Sequence, residues 1–339
     1  MKLKKVFIII LNFNGKRDTL DCLKTIQKLQ ISNYKLQIIV VDNASTDGSL
    51  ESIKSKYSYQ FVSPPRKISK KEKASGGPIR KNSHTPTIKL IKNRVNLGFA
   101  EGNNVGIRYS LENGADYCLI LNNDTLVDKN TLLQLISRIN AGSSSGRKAD
   151  ERIGIISPKI YFAPGFEFHR HRYKKNERGK VIWFAGGRID WKNVLASHRG
   201  VDEIDIGRYQ KTEETDFATG CCMLIKKEVF EKIGLFDQKY FLYWEDIDLC
   251  MRAKETGFKI FYAPEAFLWH KNASSSEGAG GRTAVYYQER NRLLFALKFA
   301  PLKSKIAVLK QGLGYLFSGT KLQRKAVKDF LCLRFGKIK

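Results

Sequence analysis

The chain predicts an α/β fold: a mostly parallel, Rossmann-like sheet flanked by helices. Three observations carry that expectation. Over the first 125 residues, short apolar runs alternate with segments of helical periodicity, the order that parallel strands joined by crossover helices produce. Each apolar run ends in a polar, acidic or glycine-containing stretch: NFNG from Asn12, DNASTDGS from Asp42, NRVNLGFA from Asn93 and NNDT from Asn122. With 339 residues, 42% of them hydrophobic, the chain is long enough for one large domain with an appendage, or for two domains.

In order, residues 6–11 (VFIIIL) read as a buried strand. Residues 18–29 read as a helix with Leu20, Leu23, Ile26 and Leu29 on one face. Residues 36–41 form a second strand, 49–57 a second helix, 88–91 a third strand, 100–112 a third helix and 117–121 a fourth strand. Gly98, Gly102 and Gly106 recur every four residues, which lays them along a helix and not in a phosphate-cradling turn. The second half is less regular. Residues 153–161 and 181–187 read as strand pieces around a basic loop, and 217–225 as an apolar run broken at Thr219-Gly220. Residues 226–233 form a short helix and 245–255 a longer one. Two further strands are expected at 258–262 and ending at 267–270, before a Ser/Gly-rich stretch, 271–282, expected to be mobile.

The composition excludes several classes. The longest apolar run is far too short to cross a bilayer. MKLKK precedes an apolar run with no small-residue cleavage site, so the expected location is cytoplasmic. Cys22, Cys118, Cys221, Cys222, Cys250 and Cys332 offer neither zinc spacing nor a disulfide framework. The first strand is followed by Asn-Phe-Asn-Gly-Lys and not by G-x-G-x-x-G, which argues against a dinucleotide dehydrogenase. No P-loop signature occurs.

A formal charge of +27, from 60 Lys+Arg against 33 Asp+Glu, points to an acidic partner. The charge clusters at 64–81, at 169–180 and from Arg290 to the C-terminus, where Asp329 is the only acid. In the last region Ile306, Leu309, Leu313, Leu316 and Phe317, then Val327, Phe330 and Leu331, interleave at helical spacing. A basic amphipathic helical region at 291–339 suggests attachment to an anionic membrane surface; its plain alternative is a helix packed on the domain with a solvated basic face. The basic clusters lack aromatic interleaving, and no nucleic-acid motif is present. No specific nucleic-acid partner is therefore expected, and a basic nucleic-acid-binding protein is the weakest alternative.

In open parallel sheets ligands bind beyond the carboxyl ends of the strands. Asp42 and Asp124 stand there, the first suited to ribose hydroxyls or a base N–H, the second to a hard divalent cation bridging phosphates. Each could equally be turn chemistry. Glu245, Asp246 and Asp248 crowd the start of a helix behind Phe241, Tyr243 and Trp244. Carboxylates at a helix N-terminus gain roughly 0.3–1 kcal/mol from the macrodipole, which suffices for Asp248. The aromatic wall would desolvate the site and raise a carboxylate's pKa, giving a general base beside a surface suited to a sugar. His270, alone after an aromatic strand, reads as structural or as a metal ligand with Asp124.

The series FIIILNFNGK, IIVVDNASTDGS, NLGFAEGNNVGI, LILNNDT, FATGCCMLI, GLFDQKYFLYWEDIDLCMRA and WH resembles glycosyltransferase family 2, in particular its rhamnosyltransferase-like branch of bacteria and archaea. The resemblance runs from about Val6 to Arg292. It implies a GT-A fold over 1–290, with a nucleotide-sugar-binding half (1–125) and an acceptor-binding, catalytic half (150–290). It also implies inverting, metal-dependent sugar transfer. Asn12, Asn14 and Asp42 would hold the nucleoside, with Asn96 and Gly98 lining the same pocket. Asn122-Asn123-Asp124 stands where the family has D-x-D, so Asp124 would bind Mn²⁺ or Mg²⁺ through the diphosphate, with His270 as the second ligand. Asp246 would be the general base and Glu245 would poise it. Trp244, Thr219 and Gly220 would shape the acceptor site.

The chain departs from the family pattern in Asn122, which replaces the first acid, and in the long stretches 64–81 and 169–180. No Q-x-x-R-W motif of processive synthases occurs, so transfer of a single sugar is expected. The donor would be dTDP-, UDP- or GDP-linked, with rhamnose a candidate sugar. The acceptor would be a lipid-linked or cell-surface glycan intermediate met at the inner membrane face. The alternative within the fold is a catalytically degenerate nucleotide-sugar-binding protein.

Overall fold

The computed structural model describes residues 3–64, 87–141, 152–272 and 281–338. Nearly all of the basic stretch 64–81, and residues 273–280 of the Ser/Gly-rich one, lie outside the described residues.

The alternating half comprises β1 (Lys5–Asn12), α1 (Lys16–Ile26), β2 (Lys35–Asp42), α2 (Ser49–Lys56), β3 (Tyr59–Phe61), β4 (Ile88–Lys92), α3 (Gly98–Glu112) and β5 (Tyr117–Asn122). There follow β6 (Thr125–Val127), α4 (Thr131–Ala141), β7 (Ile153–Phe162), β8 (Ile182–Phe184), β9 (Gly187–Asp190), β10 (Leu195–His198), β11 (Glu213–Glu214) and β12 (Cys222–Lys226). The chain continues through α5 (Lys227–Ile233), α6 (Glu245–Glu255) and β13 (Lys259–His270) to three closing helices, α7 (Arg282–Phe299), α8 (Leu302–Ser318) and α9 (Lys321–Leu331).

One sheet runs through both halves in the order β11-β13-β7-β12-β5-β1-β2-β4-β3, with β6 added on β13, β8 on β7, and β9–β10 a separate hairpin. Strands β5, β1, β2, β4 and β3 are mutually parallel, as is β7 with β13. Strand β12 is the antiparallel insert that joins the two groups. The central strands are buried on both faces: Ile8, Ile9, Ile39, Val40 and Ile120 are fully inaccessible. This is why their sequences read as continuous apolar runs with no alternation.

Register brings the polar strand ends together. Asn12 pairs with Asp42, Asp42 with Lys92 and Leu11 with Asn122. Helix α3 lies close on this surface because Gly102 and Gly106 carry no Cβ; one added at Gly106 would stand 2.5 Å from Ile9. The two strands expected near 258–262 and 267–270 are one strand, β13, whose register against β7 shifts between Ala263 and Phe267, around Pro264. The apolar positions of the C-terminal region separate into two kinds. Val327 and Phe330 of α9 are buried, whereas Ile306, Leu313 and Phe317 of α8 are exposed.

Candidate active site

The strand-end segments are locked to one another before any ligand is considered. Asn12 is fully buried. Its Nδ2 donates to Asp42 Oδ1 (2.9 Å) and to Ser45 Oγ (3.0 Å). Its Oδ1 accepts from Thr19 Oγ1 (2.8 Å) and from the Gly15 amide (3.3 Å). Asp42 Oδ2 accepts from the Ser45 amide, and the exposed Asn14 accepts from the Thr46 amide at 2.7 Å. Asn43 links the next loop, donating to Asn96 Oδ1 and the Gly98 carbonyl and accepting from Asn93 Nδ2 and the Leu97 amide. An asparagine has a donor and an acceptor end, so this Asn/Asp lattice fixes several loops at once.

Beside the lattice lies a cavity of about 700 Å³, within the range of small-molecule sites. Of the residues singled out in the sequence, Asn96, Gly98, Asn122, Asp124, Thr219, Gly220, Trp244, Glu245, Asp246 and His270 line it. Asn12, Asn14 and Asp42 do not: Asn12 and Asp42 are fully buried and Asn14 is exposed.

Asp124 and His270 meet from β5–β6 and the end of β13, with Oδ1 and Nε2 3.1 Å apart and both side chains buried. Burial pushes the Asp124 carboxyl up, but the facing imidazole, by charge and hydrogen bond, brings it below its ordinary value. His270 Nδ1 is buried with no hydrogen-bond partner among the described residues. No group of three or more His, Cys, Asp or Glu converges as a metal cage among those residues. Two donors 3.1 Å apart nonetheless fit adjacent positions around a cation whose bonds are about 2.1 Å. A cation of this kind commonly takes one or two protein ligands and completes its shell with phosphate and water.

A further part of the lining is built by the turn into α6. Phe241, Tyr243 and Trp244 all take positive φ, 64°, 68° and 74°, a conformation costing a non-glycine residue of order 1–3 kcal/mol. Helix α7 holds it there. Asn291 Nδ2 donates to the carbonyls of Tyr240, Leu242 and Tyr243 at 2.8–2.9 Å. The Arg290 guanidinium donates to those of Lys239, Tyr240 and Gly336. Both side chains are fully buried. Trp244 donates from Nε1 to Gln288 of the same helix at 3.1 Å.

The three acids of α6 have separate surroundings. Asp248 is consumed by Arg252, Lys298 and the Tyr240 hydroxyl, so it is structural. Asp246 faces the cavity, its Oδ2 accepting from the Gly220 amide (2.8 Å) and its Oδ1 from that of Ile247 (2.8 Å). Burial pushes its carboxyl up, opposed by those two amides. Glu245 is buried with no partner for Oε2, and burial together with the Asp246 charge pushes it well above the ordinary range. Two adjacent carboxyls in such a place share one proton. Burial raises both, Glu245 further because its Oε2 has no partner while Asp246 is held by two N–H groups.

The Asn96–Gly98 loop and the turn into α6 are tied directly to each other. The amides of Phe99 and Ala100, at the start of α3, donate to the Phe241 carbonyl at 2.6 and 3.3 Å. Gly98 has φ +78°, and a Cβ there would stand 2.5 Å from that same oxygen.

Several lining residues escape sequence reasoning. Trp183 of β8 packs edge-on to both His198 (4.4 Å) and His270 (4.6 Å). Burial pushes the His198 imidazole down to about 4, so it is neutral at physiological pH. Phe168 and Gln288 also line the cavity. Arg290 and Asn291, which hold the turn from behind, stand within the polar run QERNR of α7, and nothing in that run marks them out from their neighbours.

A family profile described as "Glycosyltransferase like family 2" matches residues 115–295, more than half of the chain. The chain is 27% identical over 260 residues to the low-salt glycan biosynthesis hexosyltransferase Agl10 of Haloferax volcanii, covering 76% of this chain and 74% of that one. It is 24% identical over 179 residues to the rhamnosyltransferase WbbL of Escherichia coli, covering 51% and 60% respectively. Among solved structures, the mannosyltransferase PcManGT of Pyrobaculum calidifontis, in complex with GDP-Man and Mn²⁺, superposes with a TM-score of 0.52 at 14% identity. That match covers 97% of this chain and 74% of the other, and it is a likeness of fold.

Proposed function

The chain belongs to glycosyltransferase-like family 2, and we propose that it transfers one sugar, with inversion, from a nucleotide-sugar donor to a hydroxyl group of a glycan acceptor. The observation that carries this reading is one cavity lined both by the Asp124–His270 pair and by the buried carboxyls of Asp246 and Glu245, each raised by burial and Glu245 the further. Inversion at a sugar carbon is a single displacement: the acceptor oxygen attacks as the nucleoside diphosphate leaves. Asp246 takes the acceptor proton, and its raised pKa makes it a better base than an exposed aspartate. The Gly220 amide aims it; in this reading Glu245, the further raised, keeps the shared proton and adds no second negative charge where the alcohol must approach.

Asp124 and His270 would hold Mn²⁺ or Mg²⁺ with the donor's diphosphate, the cation offsetting the charge of the departing group. Asn43 and Asn96 stand on the donor side, and Asn12, Asn14 and Asp42 hold their loops. Trp244 and Trp183 offer apolar ring surface to a sugar face. The activity of WbbL, a rhamnosyltransferase, supports a deoxyhexose such as rhamnose as the sugar. That of Agl10 supports an acceptor in glycan assembly.

The test is nucleoside diphosphate release from UDP-, dTDP- and GDP-sugars, beside a thermal-shift panel with Mn²⁺ and with EDTA. One nucleotide that raises the midpoint only with the metal, and is turned over by the wild type but not by Asp246→Asn, supports the reading. Binding without turnover under any condition would leave a nucleotide-sugar-binding protein.

A further inference from the structure

The C-terminal helices carry a surface that the catalytic reading does not use. Helix α8 packs by one side on α7: Val308 is buried, and a Cβ at Gly312 would stand 2.9 Å from Leu293. On another side Leu302, Ile306, Leu313 and Phe317 follow at helical spacing and are 73%, 45%, 45% and 87% exposed. Half-buried Leu309 and Leu316 fall within the same stripe. Isolated exposed apolar residues are ordinary, but a continuous four-turn stripe is a docking surface. Lys303, Lys305 and Lys310 flank it, and α8 holds no acid.

A second observation stands next along the chain. Helix α9 and the turn after it form a cleft of about 300 Å³ lined by Lys321, Arg324, Lys325, Lys328 and Arg334 around the single carboxylate of Asp329. Asp329 pairs with Lys325 (3.3 Å) and Arg334 (3.8 Å) and accepts from the Tyr286 hydroxyl at 2.7 Å; one carboxylate against five cations leaves the cleft an excess of positive charge. In contrast to α8, most of the apolar face of α9 is closed: Val327 and Phe330 are buried, and Leu331 at its end is the exposed exception.

We propose that α8 and α9 dock the protein on the surface of an anionic lipid bilayer. The α8 stripe enters the boundary between headgroups and acyl chains, and the α9 cleft receives headgroup phosphates. The charge pattern selects this occupant. A protein partner for the stripe would not need its lysine flanks or the adjoining cation cleft, whereas an interfacial helix combines apolar insertion with attraction to anionic lipid. No described helix is long and apolar enough to cross a membrane. Contact would therefore be interfacial and reversible. The proposal is independent of which sugar is transferred.

Flotation of the full chain with vesicles of phosphatidylcholine alone, and of phosphatidylcholine mixed with phosphatidylglycerol, tests it. Binding to the mixed vesicles only is expected, weakening as salt rises. Phe317→Ser with Ile306→Ser should lower partitioning by about tenfold or more, since each large side chain loses its burial. Lys321→Glu and Lys328→Glu should each lower it about fivefold or more. All four residues are exposed, so melting curves should match the wild type and separate lost binding from misfolding. Equal binding to both vesicle types, or unchanged flotation of the serine variant, would overturn the proposal. So would a dimer in sedimentation that Phe317→Ser abolishes while the wild type never floats, because the stripe would then belong to a second copy. Charge variants that float like the wild type would remove the cleft from the proposal.

Discussion

The side-chain amide of Asn291 donates to the main-chain carbonyl of Tyr243 at 2.9 Å, two residues before Glu245. Through this bond, and its companions to Tyr240 and Leu242, a helix that contributes no carboxylate to the cavity sets the conformation of the turn that presents Asp246. The turn contains three non-glycine residues at positive φ and would relax without an external hold. Asn291→Ala removes the donor from three carbonyls at once and should cost about 2–4 kcal/mol in urea unfolding. Asn291→Asp should be worse at pH 8, because an ionised carboxylate cannot donate and would face three carbonyl oxygens. Its deficit should shrink in acid, where the protonated form donates again. Equal stability of the alanine variant and the wild type would mean that α7 does not hold the turn.

The carboxyl pair gives opposite signs for activity and stability. Asp246→Asn keeps an acceptor for the Gly220 amide but removes the proposed base, so kcat should fall by about 10²–10⁴ with donor affinity retained. Wild-type activity should fall as pH drops through the raised Asp246 value, since the base is then protonated.

Glu245 has a folded-state pKa above its unfolded one. The stability contributed by its neutral form is therefore full below the unfolded value and is lost as pH rises through the folded one. Glu245→Gln cannot ionise, so it should unfold at a higher temperature than the wild type at pH 8. The difference should vanish near pH 4. A glutamine variant less stable than the wild type at pH 8 would show that Glu245 is ionised and paired in the native state.

The parts of this site legible in the sequence are those made by consecutive residues. Strand ends at Asn12, Asp42 and Asn122 follow from apolar runs that stop abruptly. The start of α6 at Glu245 follows from a cluster of acids ahead of an amphipathic repeat. Helix α4 has a regular apolar face, Leu132, Leu135, Ile136 and Ile139, and lies between β6 and β7, beyond the first 125 residues whose alternation the sequence shows plainly. Strand β13 was split because Pro264 interrupts its pattern; a register shift absorbs the interruption. What spacing cannot give is partnership across the chain. Arg290 and Asn291 look like two more residues of a basic tail until the 239–243 carbonyls lie beside them. Likewise the sequence does not show that both ends of the Asn12 amide are engaged by neighbours.

Gly98 joins the donor loops to the acid-bearing turn, and its substitution tests whether the two sides act together. Its φ of +78° already disfavours a side chain, and the new Cβ would meet the Phe241 carbonyl, a backbone atom that cannot rotate away. Gly98→Ala should therefore push the start of α3 from that oxygen and weaken the bonds from Phe99 and Ala100, at a cost of about 1–3 kcal/mol. Because the turn carries Asp246 and the loop carries Asn96, both donor affinity and kcat should decline. Asp124→Asn should differ: it weakens one proposed metal ligand without moving the turn, so it should mainly reduce the Mn²⁺-dependent part of donor binding. A Gly98→Ala variant that loses donor affinity while keeping its kcat would show that the two sides of the cavity work separately.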